Sequence, residues 1–283
     1  MATFQNQATL LFGGERINSN TTVGEIVDVV GITKTAISVS YGQGDAIAYA
    51  VSIENRGTAA LTGLTLTDNL GSFIAPGGSD AVPLEYAPGT LNYYVNGELL
   101  APPTVTAGQN LVISGISVPA GGNALLVYEA TANGYAPLAA GSSITNVATL
   151  DGATAAPLTD AATVPVREAA ELSITKTVNP DTISGGGEIT YSFIIQNSGN
   201  TPVLATDSLV ITDTFTPVLS NITVEVNGAA IAEGTGYTYD EATGTFATVS
   251  GAITVPQASY ETLPDGAVAV TPGVTVVTVS GTI

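Results

Sequence analysis

The chain has no cysteine, no histidine and no tryptophan, and a single methionine in 283 residues. Without cysteine there is neither a disulfide nor thiol chemistry. Without histidine or cysteine, the usual zinc sites, the nucleophilic triads and acid–base pairs poised near neutral pH are gone. A turnover enzyme is therefore the least expected reading, and no cofactor or metal site is implied. Positive charge is almost as scarce, with 5 basic against 24 acidic residues and a formal charge of −19. That balance excludes nucleic acid as a partner and argues against anionic membrane surfaces. No apolar run approaches the length of a membrane span, so no membrane insertion is expected. The opening "MATFQNQATLLFGG" has neither the basic region nor the apolar core of a secretory signal. The chain is thus expected to be made inside a cell and to reach the outside by another route.

What is abundant is turn and strand chemistry. There are 32 glycines and 15 prolines, and only 10% of residues are charged. Stretches such as "AIAYAVSIE" and "EITYSFIIQ" alternate apolar and polar residues, the period of half-buried strands in a sandwich. The chain also repeats itself. "GITKTAISVSYGQGDAIAYAVSIENRG" (31–57), "LTGLTLTDNLG" (61–71) and "LNYYVNGELL" (91–100) return as "SITKTVNPDTISGGGEITYSFIIQNSG" (173–199), "SLVITDTFTP" (208–217) and "ITVEVNGAAI" (222–231). Lys34 and Tyr49 are 15 residues apart, as are Lys176 and Tyr191; Lys34 to Asn55 and Lys176 to Asn197 are both 21. "YTYDEATGTF" (237–246) reads as a hairpin, and the acidic loops match no EF-hand or nonapeptide calcium pattern.

The two copies end differently. The first runs through "ALLVYEATANG" (124–134) to "SSITNVATLDG" (142–152) and "DAATVPV" (160–166), whereas the second stops at "VTVVTVSGTI" (274–283), the counterpart of "ALLVYEATANG". The segment that resembles "ITNVATL" is instead "FQNQATL" at residues 4–10, followed by "GEIVDVV" (24–30), which parallels "DAATVPV". Two divisions of the chain fit. In one, residues 1–30 are a donor-strand arm, 31–166 a closed domain, and 167–283 a second domain lacking its closing strand, completed by a neighbour's arm. In the other, 1–140 and 141–283 are self-contained beads. The charged run "REAAE" (167–171) favours a boundary after residue 166.

Lys34 and Lys176 are the only lysines and occupy the same "ITKT" in both copies. Each copy has an aspartate on a middle strand, Asp68 and Asp213, and each closing segment has an asparagine, Asn146 and Asn6. A lysine desolvated among apolar side chains is a nucleophile. A buried, protonated aspartate polarises an asparagine carbonyl and shuttles protons, and attack on that carbonyl leaves an isopeptide bond and ammonia. The pairs expected are Lys34 with Asn146 within a chain and Lys176 with Asn6 between chains, with Asp68 and Asp213 as proton shuttles. The plainer alternative is a lysine guarding a strand edge, an aspartate forming a turn and an asparagine capping a loop, all copied by duplication.

With these residues in view, the pattern "LSITKTVNPDTISGGGEITYSFIIQNSGN…SLVITDTF…ITNVATL" resembles the bacterial conserved-repeat domain of surface proteins, domain-of-unknown-function family eleven. The resemblance rests on Lys34/Lys176, Tyr49/Tyr191, Asn55/Asn197, Asp68/Asp213 and Asn6/Asn146. It implies an all-β chain of two tandem Ig-like β-sandwich domains preceded by the arm. A two-copy version without a signal peptide is similar to clostridial spore-appendage subunits released by mother-cell lysis. Crosslinked Ig-like pilins and collagen adhesins supply the analogy for the isopeptide bonds. The expected function is a structural subunit of an extracellular or spore-surface fibre, a head-to-tail homopolymer joined by N-terminal strand donation. The alternative is a monomeric two-domain adhesin module with intramolecular isopeptide bonds only.

Overall fold

A computed structural model describes residues 2–26, 29–154 and 156–283. The chain is all-β, with antiparallel strands, one turn of 3-10 helix at Ala205–Asp207 and no α-helix among the described residues. The alternation in the sequence accounts for this. In the strand Ala46–Asn55, Ile47, Tyr49, Val51 and Ile53 all point to one buried face.

Residues 30–165 build two five-strand paths. One runs Glu98–Leu100, Asn92–Val95, Asn123–Ala132, Ala46–Asn55, Val30–Ala36, with Leu84–Tyr86 added on Asn123–Ala132. The other runs Thr104–Ala107, Leu111–Val118, Leu61–Asp68, Ser143–Asp151, Leu158–Pro165. Ile47, Val51, Leu66, Ile113 and Leu150 meet in the core between them. Residues 172–282 repeat the first path faithfully as Ala229–Ile231, Ser220–Val226, Gly273–Thr282, Glu188–Asn197, Leu172–Asn179. The second path stops short. It runs Tyr237–Asp240, Thr245–Thr248, Thr212–Thr214, and the far edge of Thr212–Thr214 has no partner strand among the described residues. Among the described residues no strand takes the places of Ser143–Asp151 and Leu158–Pro165 there. A separate core around Phe193, Phe215, Phe246 and Val277 fills this second pair of sheets.

The N-terminal residues form a hairpin that pairs only with itself among the described residues: Ala2–Asn6 with Thr22–Ile26, and Thr9–Phe12 with Glu15–Asn18. Over Ala2–Asn6 and Thr22–Ile26 its register reproduces that of the closing hairpin of the first pair, and towards the tip it shifts by one residue, with Thr9 facing Asn18. Asn6 faces Thr22 as Asn146 faces Ala162, and Phe4 faces Gly24 as Ile144 faces Val164. This corrects the sequence alignment of "GEIVDVV" with "DAATVPV", because residues 22–26, not 26–30, stand where 162–166 stand. Val27 and Asp28 of that segment lie outside the described residues.

The two pairs of sheets are tied together. The Asn200 amide donates to the carbonyls of Leu138 (2.9 Å) and Arg167 (3.0 Å), and its oxygen accepts from the Ala169 N–H (3.0 Å). Arg167 pairs with Asp45 at 2.7 Å. The Gly77 N–H donates to the Pro264 carbonyl, and the Val268 N–H to the Gly134 carbonyl.

Asn55 and Asn197, repeated in the sequence, are loop clamps. The Asn55 amide donates to the Ala59 (2.9 Å) and Pro119 (3.0 Å) carbonyls while its oxygen accepts from the Gly57 N–H. Asn197 does the same with Thr201, Pro256 and Gly199. Both are buried, so removing either side chain strands several polar groups. Asn55→Ala and Asn197→Ala should each lower stability by about 2–3 kcal/mol in urea unfolding. A loss within about 0.5 kcal/mol would show that water satisfies these loops instead.

Candidate functional site: two lysine–aspartate pairs in unequal settings

Lys34 sits on Val30–Ala36 and faces Val51 across the ladder. Its ammonium reaches the Asp68 carboxylate at the end of Leu61–Asp68, and both side chains are 0% exposed. The Tyr128 hydroxyl donates to the same Asp68 oxygen and lies 3.2 Å from Lys34 Nζ. The other Asp68 oxygen accepts from the Leu70 N–H at 2.8 Å. Two rings flank the amine, with Nζ 4.8 Å from the Tyr49 centroid and 5.9 Å from that of Tyr128. Burial pulls the Lys34 amine below the ordinary lysine value of 10.5, against the upward pull of Asp68. Burial also pushes the Tyr49 and Tyr128 phenols up, with the Asp68 charge adding to it.

Asn146 enters this core from the neighbouring strand. Ala148 pairs with Asp68, and Asn146 is one pleat along on the same inward face. Its side chain is fully buried, yet neither the amide nitrogen nor the amide oxygen has a hydrogen-bond partner, and the Tyr49 hydroxyl has none either. The Tyr49 hydroxyl lies close enough to Asn146 for the amide to offset part of the upward push on the phenol, without reaching hydrogen-bonding geometry. An unsatisfied buried amide costs about 1–3 kcal/mol per group, so this is an expensive place to keep an intact asparagine. Asp68 does not hydrogen-bond the Asn146 amide. The expected polarisation of the carbonyl by aspartate is therefore not what the geometry offers.

The second pair repeats the charges without the enclosure. Lys176 contacts Asp213, but the lysine side chain is 40% exposed. The rings of Tyr191, Phe215 and Phe193 stand 4.5, 5.3 and 5.5 Å from its Nζ. Val279 faces Tyr191 where Tyr128 faces Tyr49, so the tyrosine that grips Asp68 has no counterpart. Every residue of Leu172–Asn179 is exposed, including Leu172 (44%) and Ile174 (56%). With Ile195, Leu209, Val210 and Ile211 these two line a groove of about 270 Å³ beside the unpaired edge. Asn6 is on the N-terminal hairpin, exposed, with the Thr22 hydroxyl donating to its carbonyl at 3.1 Å. The structure thus gathers Lys34, Asp68 and Asn146 into one core, pairs Lys176 with Asp213, and leaves Asn6 apart. Tyr128 escaped the sequence reading because repetition was the filter, and Tyr128 is not repeated.

Among the described residues no cluster of His, Cys, Asp and Glu has the make-up of a metal site, and no helix is long and apolar enough to cross a membrane. No protein-family model matches the chain, and no curated protein matches it. Several solved structures are similar. The C-terminal domain of the antigen I/II-family protein AspA of Streptococcus pyogenes is 12% identical with a TM-score of 0.40, over 90% of this chain and 92% of that one. BcpA, the major pilin subunit of Bacillus cereus, is 13% identical with a TM-score of 0.35, over 95% and 73%. The pilus backbone RrgB of Streptococcus pneumoniae is 12% identical with a TM-score of 0.34, over 86% and 55%. At these values the likeness assigns neither a family nor a function.

The lowered Lys34 value has a direct consequence. In a chain carrying Asn146→Ala, which keeps the amine free, the folded state gives up the lysine proton before the unfolded state does. Between the lowered value and 10.5 the unfolded chain binds more protons, so the lysine's contribution to stability rises with pH across that window. Urea midpoints should rise more steeply from neutral pH upward in Asn146→Ala than in the same chain with Lys34→Met. Parallel curves would show that Lys34 keeps an ordinary proton affinity.

Proposed function

We propose that this protein is a structural subunit of an extracellular fibre, polymerising head to tail as the N-terminal hairpin of one copy enters the second pair of sheets of the next. One observation carries the reading: among the described residues the second pair lacks the two strands that close the first, and the N-terminal hairpin resembles those two strands, in the same register over Ala2–Asn6 and Thr22–Ile26. In the first pair, Ile144, Asn146, Ala148 and Leu150 point into the core. Phe4, Asn6, Ala8 and Leu10 are their counterparts in the hairpin, and Phe4 and Leu10 are exposed there. Docking in that register sets Ala8 opposite Asp213, Leu10 opposite Ile211 and Leu11 opposite Val210, by analogy with Ala148, Leu150 and Asp151 opposite Asp68, Leu66 and Thr65.

The outer-face residues favour this match over a simple copy. In the first pair, Asp151 faces Thr65, polar against polar. In the proposed joint the corresponding residues are Leu11 and Val210, both exposed in the single chain. Covering Leu172, Ile174 and Val210 contributes on the order of 1 kcal/mol each, and the unpaired backbone edge gains a ladder of hydrogen bonds. Each copy gives one hairpin and accepts one, so the contact does not close on itself. A surface fibre of this kind is held by apolar burial and strand pairing, which tolerate the repulsion between chains of charge −19. Its role is structural; no turnover chemistry is assigned to it.

The two lysines supply covalent bonds in this reading. In the first core the Lys34 ammonium passes a proton to the Asp68 carboxylate, and the neutral amine attacks Cγ of Asn146. The Cγ–Nδ2 bond breaks as Asp68 delivers the proton to the departing nitrogen, and the second Nζ proton returns to Asp68. One secondary amide and one ammonia result. In the second site the same reaction waits for docking, because only an incoming hairpin brings Asn6 and excludes water from Lys176 and Asp213.

Two outcomes follow. A chain lacking residues 2–26 should remain monomeric under conditions in which the full chain forms fibres, as read by electron microscopy and light scattering; fibres from the shortened chain contradict strand donation. Full-length fibres should give a ladder on a boiled SDS gel, and Lys176→Ala should assemble but run as monomer after boiling. A heat-resistant ladder from Lys176→Ala would place the intersubunit bond elsewhere.

A further inference from the structure

The crosslinking step leaves one demand unassigned. When the Lys34 amine adds to the Asn146 carbonyl, the π electrons move onto Oδ1, and that oxygen carries negative charge until the Cγ–Nδ2 bond breaks. Asp68 cannot meet this demand, since one of its oxygens is shared by Lys34 and Tyr128 and the other accepts from the Leu70 N–H. No backbone or side-chain donor reaches Asn146 Oδ1 in the intact pair. One fully buried donor nearby is also unused, the hydroxyl of Tyr49.

Resting on the crosslink reading above, we propose that Tyr49 is the oxyanion donor of the Lys34–Asn146 reaction, its hydroxyl closing onto Oδ1 as the carbonyl carbon becomes tetrahedral. Three observations converge on it. The hydroxyl and the amide are both buried and both without hydrogen-bond partners, and the amide is near enough to act on the phenol. The Tyr49 ring lies beneath Lys34 Nζ at 4.8 Å, so one side chain spans the nucleophile and the electrophile. The same tyrosine recurs as Tyr191, 4.5 Å from Lys176 Nζ, whereas Tyr128 gives way to Val279. The residue kept at both sites is thus the one whose ring flanks the lysine amine, not the one that grips the aspartate. A neutral phenol suits the task, and burial keeps Tyr49 protonated well above neutral pH. The donor releases no proton, so the balance of the reaction is unchanged: amine and primary amide give secondary amide and ammonia. Charge developing on an oxygen inside a dry core gains most from a donor already in place.

The test uses full-length chain with Lys176→Ala, which leaves a single site. The protein is made by cell-free synthesis and quenched in acid at intervals, and intact mass follows the loss of one ammonia. Tyr49→Phe keeps the ring and removes only the unpartnered hydroxyl, so folding has nothing to lose. In an Asn146→Ala background its thermal midpoint should equal or exceed that of the tyrosine chain. The expected result is a slowing of ammonia loss by about 100-fold in Tyr49→Phe, the effect of deleting one oxyanion donor, with that midpoint preserved. If Tyr49→Phe loses ammonia as fast as the parent, Tyr49 is not the donor and the crosslink stands without it. If the parent itself stays at full mass, the crosslink reading fails and the role of Tyr49 falls with it.

Discussion

Whether water reaches a lysine amine is what divides the two halves of this molecule. Lys34 and Lys176 lie on equivalent strands and meet equivalent aspartates, yet one side chain is sealed and the other is 40% exposed. The difference is two strands. Where Ser143–Asp151 and Leu158–Pro165 are present, the sheet closes over the amine, burial lowers its proton affinity, and an asparagine amide is trapped beside it. Where they are absent, the same charges sit beside an open groove lined by Leu172, Ile174 and Val210. Strand completion and amine desolvation therefore go together in the first half, and in the proposed fibre the second lysine is enclosed only when a neighbour's hairpin docks.

Much of this was legible in the residues. Period-two alternation gave the strands, and the fixed distances from Lys34 and Lys176 to Tyr49, Tyr191, Asn55 and Asn197 gave the correspondence of the first sheets. The displaced "FQNQATL" resembles the strand Ser143–Asp151, whose counterpart the second pair lacks among the described residues. Other features were hidden for physical reasons. Asn55 and Asn197 are repeated because each holds two loop carbonyls and a loop N–H, a role with no signature beyond the residue itself. Tyr128 sits where the second copy has Val279, so its contact with Asp68 depends on strand register that no repeat reveals. The return strand of the N-terminal hairpin was misaligned by the sequence because the hairpin tips share no residues. "LFGGERI" turns tightly on Gly13 and Gly14, both at positive φ, while "DGATAAPL" makes a longer loop.

A clamp of hydrogen bonds and an ion pair joins the two pairs of sheets within one chain. Asn200 bonds backbone on both sides of the junction, Arg167 pairs with Asp45, and the Ser259–Thr262/Val268–Thr271 hairpin donates to the Gly134 carbonyl through Val268. A load passing from an inserted hairpin through the second sheets reaches the first across these bonds.

The register of the joint is the most direct thing to measure, and the absence of native cysteine makes it clean. One chain would carry Leu11→Cys and a second Val210→Cys, both with Lys176→Ala to remove the isopeptide route, and the two would be mixed and oxidised. A disulfide needs Cα atoms within roughly 4.4–6.8 Å, a distance that facing strands meet and slipped ones do not. The account predicts disulfide-linked heterodimers from the mixture and none when Val210→Cys is replaced by Val39→Cys, a more exposed site away from the groove. Failure of the Leu11→Cys and Val210→Cys chains to link in fibres, or equal linking at Val39, would contradict insertion of one copy's hairpin into the open sheets of the next.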